Sequence, residues 1–165
     1  MPLDMHMKIE GVTGEMTGMT HKGWSEIISW NWGMTSNRKA ASTTENTSTS
    51  LNEISVVKKL GTDSTAIRLL FAKATVIPRV EFDVIPTAGK KEAKTKYVNL
   101  VMENVVIKSI VTGGASEDSS FREHITFIFE KVNFECSKAP NISSGAAGVD
   151  TNFAWNVSDN AEWTA

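Results

Sequence analysis

The sequence predicts a mainly β protein: an antiparallel β-barrel or two-sheet sandwich with one flanking α-helix. Three observations predict it. Short segments with apolar residues at every second position recur along most of the chain. Two long segments each change inward parity once, as strands that bend around a closed or folded sheet do. Only one segment has a helical period.

In chain order, Met5, Met7 and Ile9 alternate with His6, Lys8 and Glu10 in a short first strand. Residues 11–23, with Gly11, Gly14, Gly18 and Gly23, have no hydrophobic period and read as an excursion. Ile28, Trp30, Trp32 and Met34 then recur with period two, which places the indoles in the core and Asn31 and Gly33 on the opposite, polar face. Residues 37–50 are mostly Ser, Thr, Asn and charge, a surface loop longer than a simple connection. Ile54, Val56 and Leu60 mark a further strand. Ala66, Ile67, Leu70, Phe71 and Ala74 then fit one face of a helix over about 63–74, with Thr62 or Asp63 as N-cap. This helix is expected to lie across an opening of the sheet.

Val80, Phe82 and Val84 alternate between Pro78 and Pro86. Val98, Leu100 and Met102 then give way to Val105, Ile107 and Val111 on the other parity, with the change at Asn104. Ile125, Phe127 and Phe129 give way likewise to Val132, Phe134 and Cys136 near Glu130-Lys131. Both changes are read as bulges, and Gly113-Gly114 as the start of the hairpin between the strands. Phe153, Trp155 and Val157 make a last strand, for a total of seven or eight. The expected core includes Ile28, Trp30, Trp32, Phe71, Phe82, Phe127 and Phe129, in a single domain over 1–165.

The chain has 165 residues, 41% of them hydrophobic and 22% charged, which suits one ordered domain. A net charge of −2 argues against a nucleic-acid partner, which needs a basic face. The single cysteine, Cys136, excludes an intrachain disulfide and reads as a small core side chain. With no h-region and no apolar run near 18 residues, neither a signal peptide nor stable membrane insertion is expected. Export would then use a route that reads no cleaved signal.

Catalytic chemistry finds little support. His6, His21 and His124 are scattered and form no zinc pattern, so each reads as a surface or strand-face residue. Gly89-Lys90 fails as a phosphate loop, because Val84 replaces the first glycine and Lys91 the hydroxyl residue. No nucleophile elbow exists. The expectation is no enzyme, no catalytic residue, no metal and no cofactor.

Several segments carry a family resemblance. Residues 4–15, with Gly11-Val12-Thr13-Gly14-Glu15 after the first strand, resemble the opening of the haemolysin-coregulated protein (Hcp) family. Thr20-His21-Lys22-Gly23-Trp24 is similar to its His-Lys-x-Trp segment, and Ile27 to Gly33 to its Trp-x-Trp-Gly strand. Thr112-Gly113-Gly114 and Phe127 to Val132 follow in the family's order. Two features depart from it. The 37–50 loop lacks a glycine run, and Asn31 stands where a small serine is common between the tryptophans.

The resemblance implies a barrel with a flanking helix that assembles as a homo-hexamer. Its rings stack into the inner tube of a type VI secretion system, with a spike protein, a contractile sheath and effector proteins as partners. Asn31 is then the candidate for the lumen face. Ala40, Ser42, Thr44, Glu45 and Thr47 are ring-interface candidates, and the 37–50 loop and the 11–23 excursion together are expected to form much of the ring-to-ring and protomer contacts. The protein would be made in the cytoplasm and secreted without a signal peptide. A phage-type tail-tube protein and a carbohydrate-binding β-sandwich remain the alternative readings.

Overall fold

A computed structural model describes residues 3–36, 49–51, 53–86, 96–137 and 151–164. They form ten strands and one α-helix: β1 (Leu3–Ile9), β2 (Ser25–Asn31), β3 (Met34–Ser36), β4 (Thr49–Leu51), β5 (Ile54–Lys59), α1 (Ser64–Ala72), β6 (Ile77–Pro86), β7 (Val98–Gly113), β8 (Arg122–Cys136), β9 (Thr151–Asn156) and β10 (Ala161–Glu162). The main sheet runs β10-β9-β8-β5-β2-β1-β6-β7, and β7 pairs again with β8. That second pairing closes six strands into an antiparallel barrel, with β9 and β10 continuing beyond the closure. The ribbon of β3 and β4 forms a separate small sheet.

Period two sets the barrel interior. Met7 and Ile9 of β1, Ile54 and Val56 of β5, Val80 and Phe82 of β6, Leu100 and Met102 of β7, and Ile125 and Phe127 of β8 are buried in one core. Trp30, Trp32 and Phe129 are partly buried and pack against it. Ile28 departs from the expected face. The β2–β5 register shifts between Ile27 and Ser29, so Ile27 takes the inward slot and Ile28 is only half-buried. β2 also stops at Asn31, and Met34, in the next strand, is exposed.

The two parity changes in β7 and β8 lie opposite each other. Pairing keeps one register from Val98↔Cys136 through Ile107↔Phe127, so neither strand gains a residue on the other at Asn104 or Glu130. The expected bulges are therefore a shared kink, and the true register shift falls between Ile107 and Ser109. Asn104 absorbs the kink with φ at 52°, a left-handed conformation that asparagine tolerates better than most residues.

At one end of the barrel the inward ladder turns polar. Ser25, Lys58 and Glu123 occupy inward positions two residues beyond Ile27, Val56 and Ile125, and all three are buried. The first turn of α1 closes over them. At the other end Trp32 packs against Phe134, with ring centroids 5.7 Å apart, and against Phe153 at 6.5 Å.

α1 leans on β7 and buries only Ser64 and Ile67 fully. Phe71 does not join the core: its ring is 44% exposed, as is much of Leu69. The helix ends at Ala72, and the contacts that seat it belong to its first turn, so Phe71 lies beyond them. Asp63 is the N-cap residue, but its carboxylate makes no cap hydrogen bond because it points into the barrel mouth.

Candidate functional site

Three surfaces bear on what the barrel can do: its outer wall, the loop folded onto that wall, and the polar plug that seats α1. On the outer wall, Asn31 pairs with Ser55 of β5, Ser55 with Thr126 of β8, and Thr126 with Ser109 of β7. Cross-strand partners share a face, so these four make one row of small uncharged polar side chains across four strands. Ser55 Oγ and Thr126 Oγ1 lie 3.3 Å apart within it. Asn31 itself is exposed.

The 11–23 excursion folds back instead of extending away. Gly14 N donates to Gly23 O at 2.7 Å, Met16 N to Trp24 O at 3.0 Å, and Gly23 N to Met16 O at 2.9 Å. Gly14 is required there, because a Cβ would collide with the Trp24 carbonyl. The loop is pinned to the outer wall by His21. Its Nε2 donates to Asp83 Oδ2 at 2.9 Å, and its ring lies 4.5 Å from that of His6. Trp24 meets the His21 ring edge-on at 4.7 Å.

His21 departs from the expected surface or strand-face position: it sits in the loop, buried against His6 of the β1 face with the two rings tilted at 33°, while His124 is exposed. Burial first, and then the His21 imidazole, hold the His6 pKa below histidine's ordinary 6.5, against the pull of Asp4, Asp83 and Glu26. Asp83 also accepts from Asn99 Nδ2 at 2.5 Å and pairs with Lys96 at 3.1 Å.

Beneath α1, Lys58 Nζ donates to Asp63 Oδ1 at 2.9 Å, Glu123 Oε2 at 3.3 Å, Ser64 Oγ at 3.3 Å and the Lys59 carbonyl at 2.8 Å. Arg68 of the helix donates to Glu123 Oε1 at 2.7 Å and also to Thr112 Oγ1. Ser25 Oγ donates to the second oxygen of Asp63. Two cations thus meet two carboxylates, and Lys58 at 2% exposure has its donors engaged. Such a plug fixes orientation, because Lys58, Asp63 or Glu123 left alone would be a buried unpaired charge.

Among the described residues no group of three or more His, Cys, Asp or Glu side chains is placed to hold a metal. Cys136 is half-buried at the end of β8, and burial raises its thiol pKa. No described helix is long and apolar enough to cross a membrane. Ala40, Ser42, Thr44, Glu45 and Thr47 lie outside the described residues. Sequence reasoning missed the plug and the histidine pair. The signal available for the plug was Lys58 and Glu123 at inward parity on two otherwise apolar strands.

The comparisons with known proteins agree with this architecture. A family model described as type VI secretion system effector, Hcp, matches residues 6–136. The chain is similar to the protein hcp1 of Pseudomonas aeruginosa, with 22% identity over 165 residues, covering 98% of this chain and 99% of that one. A solved type six secretion system protein has the same fold, with a TM-score of 0.84 at 24% identity over 97% of this chain and 99% of the other. Hcp1 from Salmonella typhimurium also shares it, with a TM-score of 0.76 at 18% identity, covering 99% of this chain and 100% of that one. With its family model matched from the first strand to the end of the long hairpin, the chain belongs to the Hcp family of type VI secretion.

Proposed function

We propose that this chain is the structural subunit of a secretion tube: six copies close into a ring, and rings stack into the inner tube of a type VI system. Family membership carries the reading. Barrel closure agrees with it, because among the described residues each of the six strands pairs with a neighbour on both sides, while the β9–β10 margin and the β3–β4 ribbon have free edges. Association then relies on side chains more than on strand addition. The candidate segments are the 11–23 loop, whose Met19 is fully exposed, and residues 37–50. Each would make modest contacts, as suits a tube that must assemble, be expelled and come apart.

The row Asn31–Ser55–Thr126–Ser109 is the proposed lumen wall, wet and without charge. It lies on β2, β5, β8 and β7, whereas the histidine-pinned loop covers β1 and β6, so lumen and protomer contacts occupy different sides. A sheath would drive such a tube, a spike would tip it, and small effectors would travel inside. The role is mechanical, with no catalysis, and export would follow synthesis in the cytoplasm without a cleaved signal.

The test is Asn31→Asp. Ring mass should stay unchanged while retention of a co-purifying effector falls. Loss of the ring itself would place Asn31 in an interface and refute the lumen assignment. Deleting residues 40–47 should shorten tubes while leaving the monomer folded; tubes of unchanged length would remove that segment from stacking.

A further inference from the structure

A buried imidazole joins the 11–23 loop to the barrel wall, while Glu15 ties the same loop to the start of α1, its Oε1 accepting from Thr62 N at 2.7 Å. His21 donates to Asp83 Oδ2 at 2.9 Å, and its ring lies 4.5 Å from that of His6, tilted by 33°. His6 and Asp83 are direct cross-strand partners on β1 and β6, and Glu26 of β2 faces His6 from the other side. Asp4 lies two residues away on β1. Asp83 is further engaged by Asn99 and by Lys96, which also approaches Glu81 at 3.6 Å. The Nδ1 atom of His6 is buried and has no hydrogen-bond partner.

These groups treat a proton differently in the two positions of the loop. With the loop closed, a proton on His6 enters a covered slot beside a second imidazole, with no acceptor at Nδ1. With the loop lifted, burial and His21 depart together, whereas Asp4, Glu26 and Asp83 remain on the sheet around His6. The open position therefore holds the proton more tightly, and by linkage acid favours opening. We propose that His6, His21 and Asp83 form an acid-sensitive latch that keeps the 11–23 loop closed on the barrel near neutral pH and releases it on acidification.

The closed-state pKa of His6 lies below the ordinary 6.5, so the closing contribution is full above that value and is lost as pH falls through the depressed one. A consequence for tubes, namely weaker protomer contacts in acid, rests on the proposed assembly. The latch itself does not.

Hydrogen exchange at pH 7.5 and pH 5.0, corrected for the chemical rate, tests the latch through the bonded amides of Gly14, Met16 and Gly23. In the unsubstituted protein their protection should fall between pH 7.5 and pH 5.0. The Val57 amide inside the barrel should hold. In His6→Phe, which keeps a ring but cannot titrate, the loop amides should stay protected at both pH values. Equal loss in His6→Phe, or no loss selective for the loop, would overturn the latch. Should His6→Phe fail to fold, NMR titration of the unsubstituted protein decides instead. His6 titrating below histidine's ordinary 6.5 supports the latch, and His6 titrating at or above it refutes it. Ring mass measured at both pH values separates failure of the latch from failure of the tube reading.

Discussion

Asn104 faces Glu130 across the β7–β8 pair, its Nδ2 donating to Glu130 Oε2 at 2.6 Å, where both strands change inward parity. The paired change lets each strand present apolar residues to the core on both sides of the kink without losing register. Left-handed backbone costs about 1–2 kcal/mol for most L-residues, and more with a branched Cβ. Asn104→Val should therefore destabilise by about 2 kcal/mol, and Asn104→Gly should be near neutral. Urea unfolding at one protomer concentration measures both. Equal effects would show that the backbone conformation is not what the residue supplies.

Lys58 is the centre of the plug under α1. Lys58→Met leaves Asp63 and Glu123 buried without their ammonium and should cost about 3–5 kcal/mol. Adding Glu123→Gln should recover part of that loss, because the two sites share one network. Strict additivity in the double-mutant cycle would contradict the coupling.

Phe71 and Phe127 separate the expected core from the observed one. Phe127→Ala should cost about 3–5 kcal/mol, and Phe71→Ala about 1 kcal/mol or less in monomeric protein. Comparable losses would return Phe71 to the core.

Gly14→Ala should unseat the excursion, since its Cβ would meet the backbone carbonyl of Trp24 rather than a movable side chain. We expect faster exchange at Met16 and Gly23, weaker ring association by light scattering, and a barrel that unfolds cooperatively as before. A loop that stays protected would show that the backbone yields at little cost.

Period two made the barrel strands legible, because a half-buried strand must alternate, as Met5, Met7 and Ile9 do. Parity likewise exposed the change at Asn104, though not that β8 changes opposite it, since pairing is not written in either strand alone. Ile28 misled because a register shift in β2 moved the inward slot to Ile27. Phe71 misled because a helical period gives the direction of a face but not how far along the helix that face is covered. The histidine pair was invisible for a different reason. His6 and His21 meet only when an aperiodic loop folds back, and the carboxylate that holds His21 comes from β6, 62 residues later. Lys58 and Glu123 meet across 65 residues for the same reason.

The central claim is that copies of this barrel close into a six-membered ring. Light scattering during size-exclusion chromatography of the purified 18.0 kDa chain tests it most directly. The account predicts a particle of about six chain masses, persisting on moderate dilution as a closed symmetric assembly does. A single species at one chain mass, at every concentration tried, would contradict it.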